Sequence, residues 1–201
     1  MTSGEEYFLD LEKRYNVLLN KIENQCFKDV LSEMIGDLLV YKMPASRTHH
    51  TGPWGLLEHS VEVAETAVSI AKIGNYPVTM DYLILCGLLH DYGKTRMVGY
   101  EFPGCYQHSV IGAYEVGNSM RRHAISPDDI LYVTNIIGTH HFGRANKPDG
   151  LEYTCIENFI IHQADSLSAT SWISRMEYKH KGSLYDCYGE RLRFTKPHTE
   201  N

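Results

Sequence analysis

The stretch Leu88-Leu89-His90-Asp91-Tyr92-Gly93-Lys94 decides how this chain is read. The residues leading into it, from Tyr82 to Leu89, are almost continuously apolar, the composition of a segment buried on all sides rather than on one face. An adjacent histidine and aspartate therefore stand at the inner end of a buried helix. An ionised carboxylate placed there costs several kcal/mol unless a cation lies beside it, so Asp91 needs either Lys94 or a metal ion.

Taken alone, the heptapeptide fits two readings. One is a salt bridge from Asp91 to Lys94 at helical i,i+3 spacing, with His90 a hydrogen-bonded core histidine. The other is the centre of a metal site. Further ligands elsewhere favour the second: His59, His108, the His140-His141 pair and Asp165 each lie in an apolar, helix-like segment of their own. A mixture of imidazole and carboxylate suits a hard or borderline divalent ion such as Mn, Fe, Co or Ni, without selecting among them.

Toward the N-terminus, Leu56 to Ile73 reads as a helix with the stripe Leu57, Val61, Ala64, Val68 and Ala71, and His59 lies near its start. Before it, Met43 to Gly55 holds two prolines and two glycines and breaks regular structure. Arg47, His49 and His50 make this loop a candidate phosphate grip, against the plainer reading of solvated polar residues. Earlier still, apolar residues at three- and four-residue intervals from Tyr7 to about Tyr41 predict two amphipathic helices without evident chemistry. Thr79 or Asp81 is expected to cap the buried helix that leads to His90.

Toward the C-terminus, Gly99, Pro103 and Gly104 mark a connection, and a helix follows from Gln107 to about His123. His108 is in its first turn, and Gly112, Ala113 and Gly117 predict close approach to a neighbour. Ser126-Pro127-Asp128-Asp129 is a helix start, leading through Ile130, Val133, Ile136 and Ile137 to His140-His141. Neighbours on a helix point about 100° apart, so one metal takes both with difficulty. His140 is the preferred ligand and His141 a supporting or substrate-contacting residue, while helix C-capping by the pair is the alternative.

Phe142 to Tyr153 reads as a loop carrying Arg144, a further phosphate candidate. Thr154-Cys155-Ile156-Glu157 then has the form of a capping box that starts a helix reaching about Lys181, with His162 and Asp165 on one face. The tail from Gly182 mixes Arg191, Arg193 and Lys196 with Tyr185, Tyr188 and Phe194.

A chain of 201 residues fits one domain, read here as packing helices over 1–43, a core over 44–181 and a tail over 182–201. Five cysteines without CxxC spacing suit a reducing, cytoplasmic setting. No apolar run reaches membrane-spanning length and the first residues are polar and acidic. A net charge of -6 argues against a non-specific nucleic-acid coat. Two divalent ions would offset about four of those charges and concentrate positive charge in a cleft, which keeps an anionic substrate in play.

His59, His90-Asp91 and Asp165 resemble the H…HD…D signature of the HD-domain phosphohydrolases, and His108 with His140 extends it to the pattern of two-metal members. The resemblance covers roughly Pro44 to Ala169. Thr48-His49-His50, Gly55 to His59, His90 to Lys94 and His108 to Ala113 look most like the HD domains of bacterial 3′-to-5′ exoribonucleases, and Pro44 to His59 also resembles the HD region of certain relaxases. These 201 residues contain no OB-fold and no GYP motif follows His141, which leaves the substrate open between a nucleotide and short single-stranded nucleic acid.

The resemblance implies an all-α HD bundle in which His59, His90, Asp91 and Asp165 hold one metal, and Asp91 bridges to a second held by His108 and His140. It further implies phosphate-ester hydrolysis by a metal-activated hydroxide, with Asp91 and Lys94 catalytic and with Arg47, His49, His50, His141 or Arg144 touching phosphate. The competing readings are an oxygenase with paired irons on the same fold and a non-catalytic, metal-stabilised module related to relaxase HD regions. Oligomerisation is left open.

Overall fold

A computed structural model describes residues 3–40, 42–97, 107–141 and 155–181. Among them, seven α-helices follow one another: α1 (Ser3–Leu19), α2 (Gln25–Val40), α3 (Gly55–Ile73), α4 (Met80–Leu89), α5 (Gln107–Arg122), α6 (Pro127–Thr139) and α7 (Ile156–Lys181). A 3-10 turn at Tyr92–Met97 follows α4, and the described residues contain no strand. The all-α expectation holds. The connection with Gly99, Pro103, Gly104 and Cys105, the loop with Arg144, the Thr154 cap and the tail with Cys187 lie outside the described residues.

The continuous apolarity of α4 has the consequence expected of it. Leu83, Ile84, Leu85, Cys86, Leu88 and Leu89 are all completely buried, and α3, α6 and α7 pack around them. The stripe of α3 also turns inward, with Leu57, Val61, Ala64, Val68 and Ala71 buried. From α1, α2 and the turn between them, Leu11, Leu18, Ile22, Val30, Leu31 and Leu38 close the same core. No helix among the described residues is long and apolar enough to cross a membrane.

Glycines set the helix spacing where the site requires it. A Cβ at Gly87 would come within 2.7 Å of the Ala64 Cα, so α3 and α4 touch backbone to backbone. A Cβ at Gly93 would fall 1.9 Å from the His108 carbonyl oxygen, so only glycine lets α5 lie against the turn that follows Asp91. Gly112 meets this same turn, whereas Gly117 faces Thr134 on α6.

The caps divide. Ser126 accepts from the Asp129 amide at 3.1 Å with Pro127 in the first turn, as its sequence predicts. The expectation for α4 is corrected, because Thr79 makes no side-chain capping bond. The buried Asp81 carboxylate accepts instead from the amides of Glu23 at 3.0 Å and Asn24 at 2.8 Å, where the turn between α1 and α2 leaves donors without helical partners. Asp81 thereby ties α4 to the start of α2. Asp81→Ala is expected to cost about 1–2 kcal/mol and to lower Tm by roughly 2–8 °C. Thermal unfolding measures this, and an unchanged midpoint would show the tie to be energetically idle.

Candidate metal centre

Asp91 follows the last turn of α4 and is 1% exposed, and its two carboxylate oxygens face different partners. Oδ2 lies 2.6 Å from Lys94 Nζ, 3.5 Å from His90 Nε2 and 3.6 Å from His59 Nε2. Oδ1 lies 2.9 Å from His108 Nε2 and 3.7 Å from His140 Nε2. Asp165 of α7 closes the first group, its Oδ1 standing 3.0 Å from His59 Nε2 and 3.9 Å from His90 Nε2. The fold thus gathers His59, His108 and Asp165 from α3, α5 and α7, and His90, Asp91 and His140 from the turns that end α4 and α6. The salt bridge to Lys94 and the histidine cluster, which the sequence presents as rivals, occur together.

The histidines present their Nε2 atoms for a definable reason. His90 and His140 stand just past the C-terminal ends of α4 and α6, where carbonyls have no helical partner. The Nδ1–H of His90 donates to the Gly87 carbonyl at 2.8 Å and that of His140 to the Ile137 carbonyl at 2.6 Å. A carbonyl only accepts, so in both rings Nδ1 carries a proton and Nε2 is the atom turned to the carboxylates. His162 donates to the His140 carbonyl at 2.7 Å and fixes that corner to α7.

Electrostatics keep the cluster in a ligand-ready state. Burial pushes the Asp91 carboxyl up, but Lys94, then His90, then the nearby His108 and His140 outweigh it and hold Asp91 well below the usual carboxylate range. Asp165 is likewise lowered against the effect of burial, chiefly by His59. Burial drives His90 to about 3 and, with His140 beside it, His141 to about 3, so both rings are neutral. For His140 burial is outweighed by the neighbouring Asp91 carboxylate, and its value is raised.

The residues fit divalent metal. Asp91 Oδ1 and His140 Nε2 are buried without a well-formed hydrogen bond, although His108 lies close to Oδ1. His59 and His90 oppose their Nε2 atoms at 3.3 Å, and His108 and His141 oppose theirs at 2.9 Å. Ligand atoms about 2.1 Å from one metal and 90–110° apart are separated by about 3.0–3.4 Å, close to the spacings seen here. His59, His90 and Asp91 form one group, and Asp91, His108, His140 and His141 another, with ligand atoms within 4.8 Å of one another. The helical angle does not keep His141 away: side-chain rotation brings its ring centroid to 4.0 Å from that of His140, and its Nδ1 lies 3.8 Å from Asp165.

The expected phosphate contacts separate from one another. Arg47 is exposed on its loop. His49 is half-buried, 4.9 Å from the His59 ring, and burial lowers it to about 4. The expectation for His50 is corrected: it is fully buried, with Nε2 3.1 Å from Glu62 and Nδ1 3.1 Å from His49, and offers no open edge to a phosphate. Lys94 is partly exposed and also donates to the Ala45 carbonyl at 3.0 Å. Arg144 lies outside the described residues. Two residues the sequence reading passed over, Glu62 and Ser168, stand behind His59; each is three positions after a candidate ligand, His59 and Asp165 respectively, and that spacing was their available signal.

A family model described as HD domain matches residues 56–170, a span that contains all six converging side chains. The chain belongs to this family and so to the HD-domain phosphohydrolase superfamily. Among curated proteins, it is 28% identical over 134 residues to Ribonuclease Y of Finegoldia magna. It is 27% identical over 132 residues to the dihydroneopterin 2',3'-cyclic phosphate phosphodiesterase of Methanocaldococcus jannaschii. The alignments take in 65% and 63% of this chain but only 22% and 51% of those relatives. No solved structure matches the chain significantly.

Calorimetric titration with Mn²⁺ is expected to show His108→Ala losing one binding event and Asp91→Ala losing both; retention of both by Asp91→Ala would mean that the carboxylate is not shared. Metal and proton compete for His140, whose value Asp91 raises. Affinity is therefore expected to be full above that raised value and to fall as pH drops through it, with proton release measured in buffers of different ionisation enthalpy.

Proposed function

We propose that this protein is a metal-dependent phosphohydrolase that cleaves a phosphodiester in a nucleotide-sized or short single-stranded nucleic-acid substrate. The observation that carries the reading is Asp91, which turns one carboxylate oxygen to the His59 and His90 pair and the other to His108 and His140. A shared, buried aspartate of this kind suits two adjacent divalent cations. One relative is named a ribonuclease and the other a phosphodiesterase of a 2',3'-cyclic phosphate, which favours a diester over a monoester.

His59, His90 and Asp165 would hold one cation and His108 and His140 the other, with Asp91 between. Bound there, such ions activate water for attack on phosphorus and neutralise phosphoryl oxygens. Lys94 is tethered by Asp91 and Ala45 through two of its three N–H groups, so the third is left for a phosphoryl oxygen. His49, neutral and half-buried beside His59, is a further candidate for contact with the substrate. His141 has its side chain 28% exposed beside the second group, where it serves either as a further ligand or as a substrate contact.

Protein loaded with Mn²⁺, Fe²⁺ or Co²⁺ should be assayed against nucleoside monophosphates, 2',3'- and 3',5'-cyclic nucleotides and labelled single-stranded RNA and DNA. Diester cleavage is expected, equally with and without oxygen. Asp91→Asn is expected to lower kcat/KM by about 10³-fold or more, and Lys94→Met to lower kcat by about 10²–10³-fold while metal content is kept. Turnover that survives in Asp91→Asn, or that stops when oxygen is removed, would end this reading.

A further inference from the structure

His59 faces a problem that His90 and His140 do not. Those two stand at helix C-termini and pass their Nδ1 protons to unpaired carbonyls of the preceding turn. His59 is in the second turn of α3, where the preceding carbonyls are already taken by the helix itself. Its Nδ1 instead lies 3.1 Å from Ser168 Oγ on α7, and Ser168 Oγ lies 3.0 Å from Glu62 Oε2, one turn along α3. A carboxylate accepts only, so the single hydroxyl proton goes to Glu62 and the Ser168 lone pair takes the Nδ1–H of His59. Glu62 is held in turn by His50 Nε2 at 3.1 Å and by Arg175, which donates to its Oε1 at 2.7 Å.

We propose that Ser168 and Glu62 are positioning residues of the metal centre that act through His59, keeping a proton on Nδ1 and fixing the ring so that Nε2 is the atom turned to Asp91 and Asp165. The assignment rests on the metal-binding reading above. Asp165 and Ser168 are one turn apart on α7, so this helix grips the His59 ring from both sides, with a carboxylate at Nε2 and a hydroxyl at Nδ1. It also gives buried His50 a place: with Arg175 it holds Glu62 where the hydroxyl can reach it. Partners of this kind change metal affinity by about 10–100-fold when removed.

The test uses the full chain and two variants, Ser168→Ala and Glu62→Gln. Long-range ¹H–¹⁵N spectra of the metal-free protein report the His59 tautomer, and Mn²⁺ calorimetry reports affinity. Wild type is expected to show His59 protonated at Nδ1. Ser168→Ala is expected to lose that fixed tautomer and to bind Mn²⁺ about 10–100-fold more weakly in the His59 group, leaving the His108 group within about twofold. Glu62→Gln should shift both readouts the same way by less. A folded Ser168→Ala protein with the Nδ1–H tautomer and wild-type affinity would overturn the proposal. Should that variant not fold, wild-type tautomer and affinity in Glu62→Gln would overturn it equally. Wild type that takes up no Mn²⁺ would end the metal reading, while the tautomer shift in metal-free protein still decides the roles of Ser168 and Glu62.

Discussion

A carboxylate 1% exposed at the heart of a helical bundle is the constraint on which the rest of the molecule turns. An unpaired charge there would cost several kcal/mol, a large share of the margin by which a domain is folded. Asp91 is kept ionised because positive and polarisable groups arrive from every side: Lys94 from the turn after it, His59 from α3, His108 from α5 and His140 from the end of α6. The fold can be understood as the means of bringing them there. An all-apolar α4 carries the carboxylate inside, and Gly87 and Gly93 let α3 and α5 come close enough for their histidines to reach it.

The same geometry explains the orientation of His90 and His140, the two histidines that follow helix C-termini. A histidine just past a C-terminus finds a free carbonyl for one ring nitrogen and turns the other inward, so orientation comes with the backbone. His59, in the second turn of α3, requires side chains to do this, and α7 supplies them beside its own aspartate. Family membership, established over residues 56–170, and local physical chemistry thus point to one cluster of side chains.

Much of this was legible in the sequence. The unbroken apolar run before His90, the stripe of α3 and the Ser126-Pro127 start all became what their patterns imply, because each depends on residues within a turn or two of one another. The residues that converge at the cleft also stood out, as charged or titratable groups inside apolar segments. What stayed hidden depends on contacts between separate elements or on side-chain torsions. Asp81 reads as a local cap but binds amides 57 and 58 positions away. His50 reads as a polar loop residue but is buried against Glu62 on the adjoining helix. Ser168 meets His59 across 109 positions, a partnership with no local trace beyond helical spacing. The closeness of the His140 and His141 rings depends on side-chain torsions that a backbone angle does not determine.

The most direct measurement is the anomalous difference density of a crystal grown with Mn²⁺. Two peaks are predicted, one against His59, His90 and Asp165 and one against His108 and His140, with Asp91 lying between them. A single peak elsewhere, or ordered protein in which these side chains hold no metal at saturating Mn²⁺, would contradict the account.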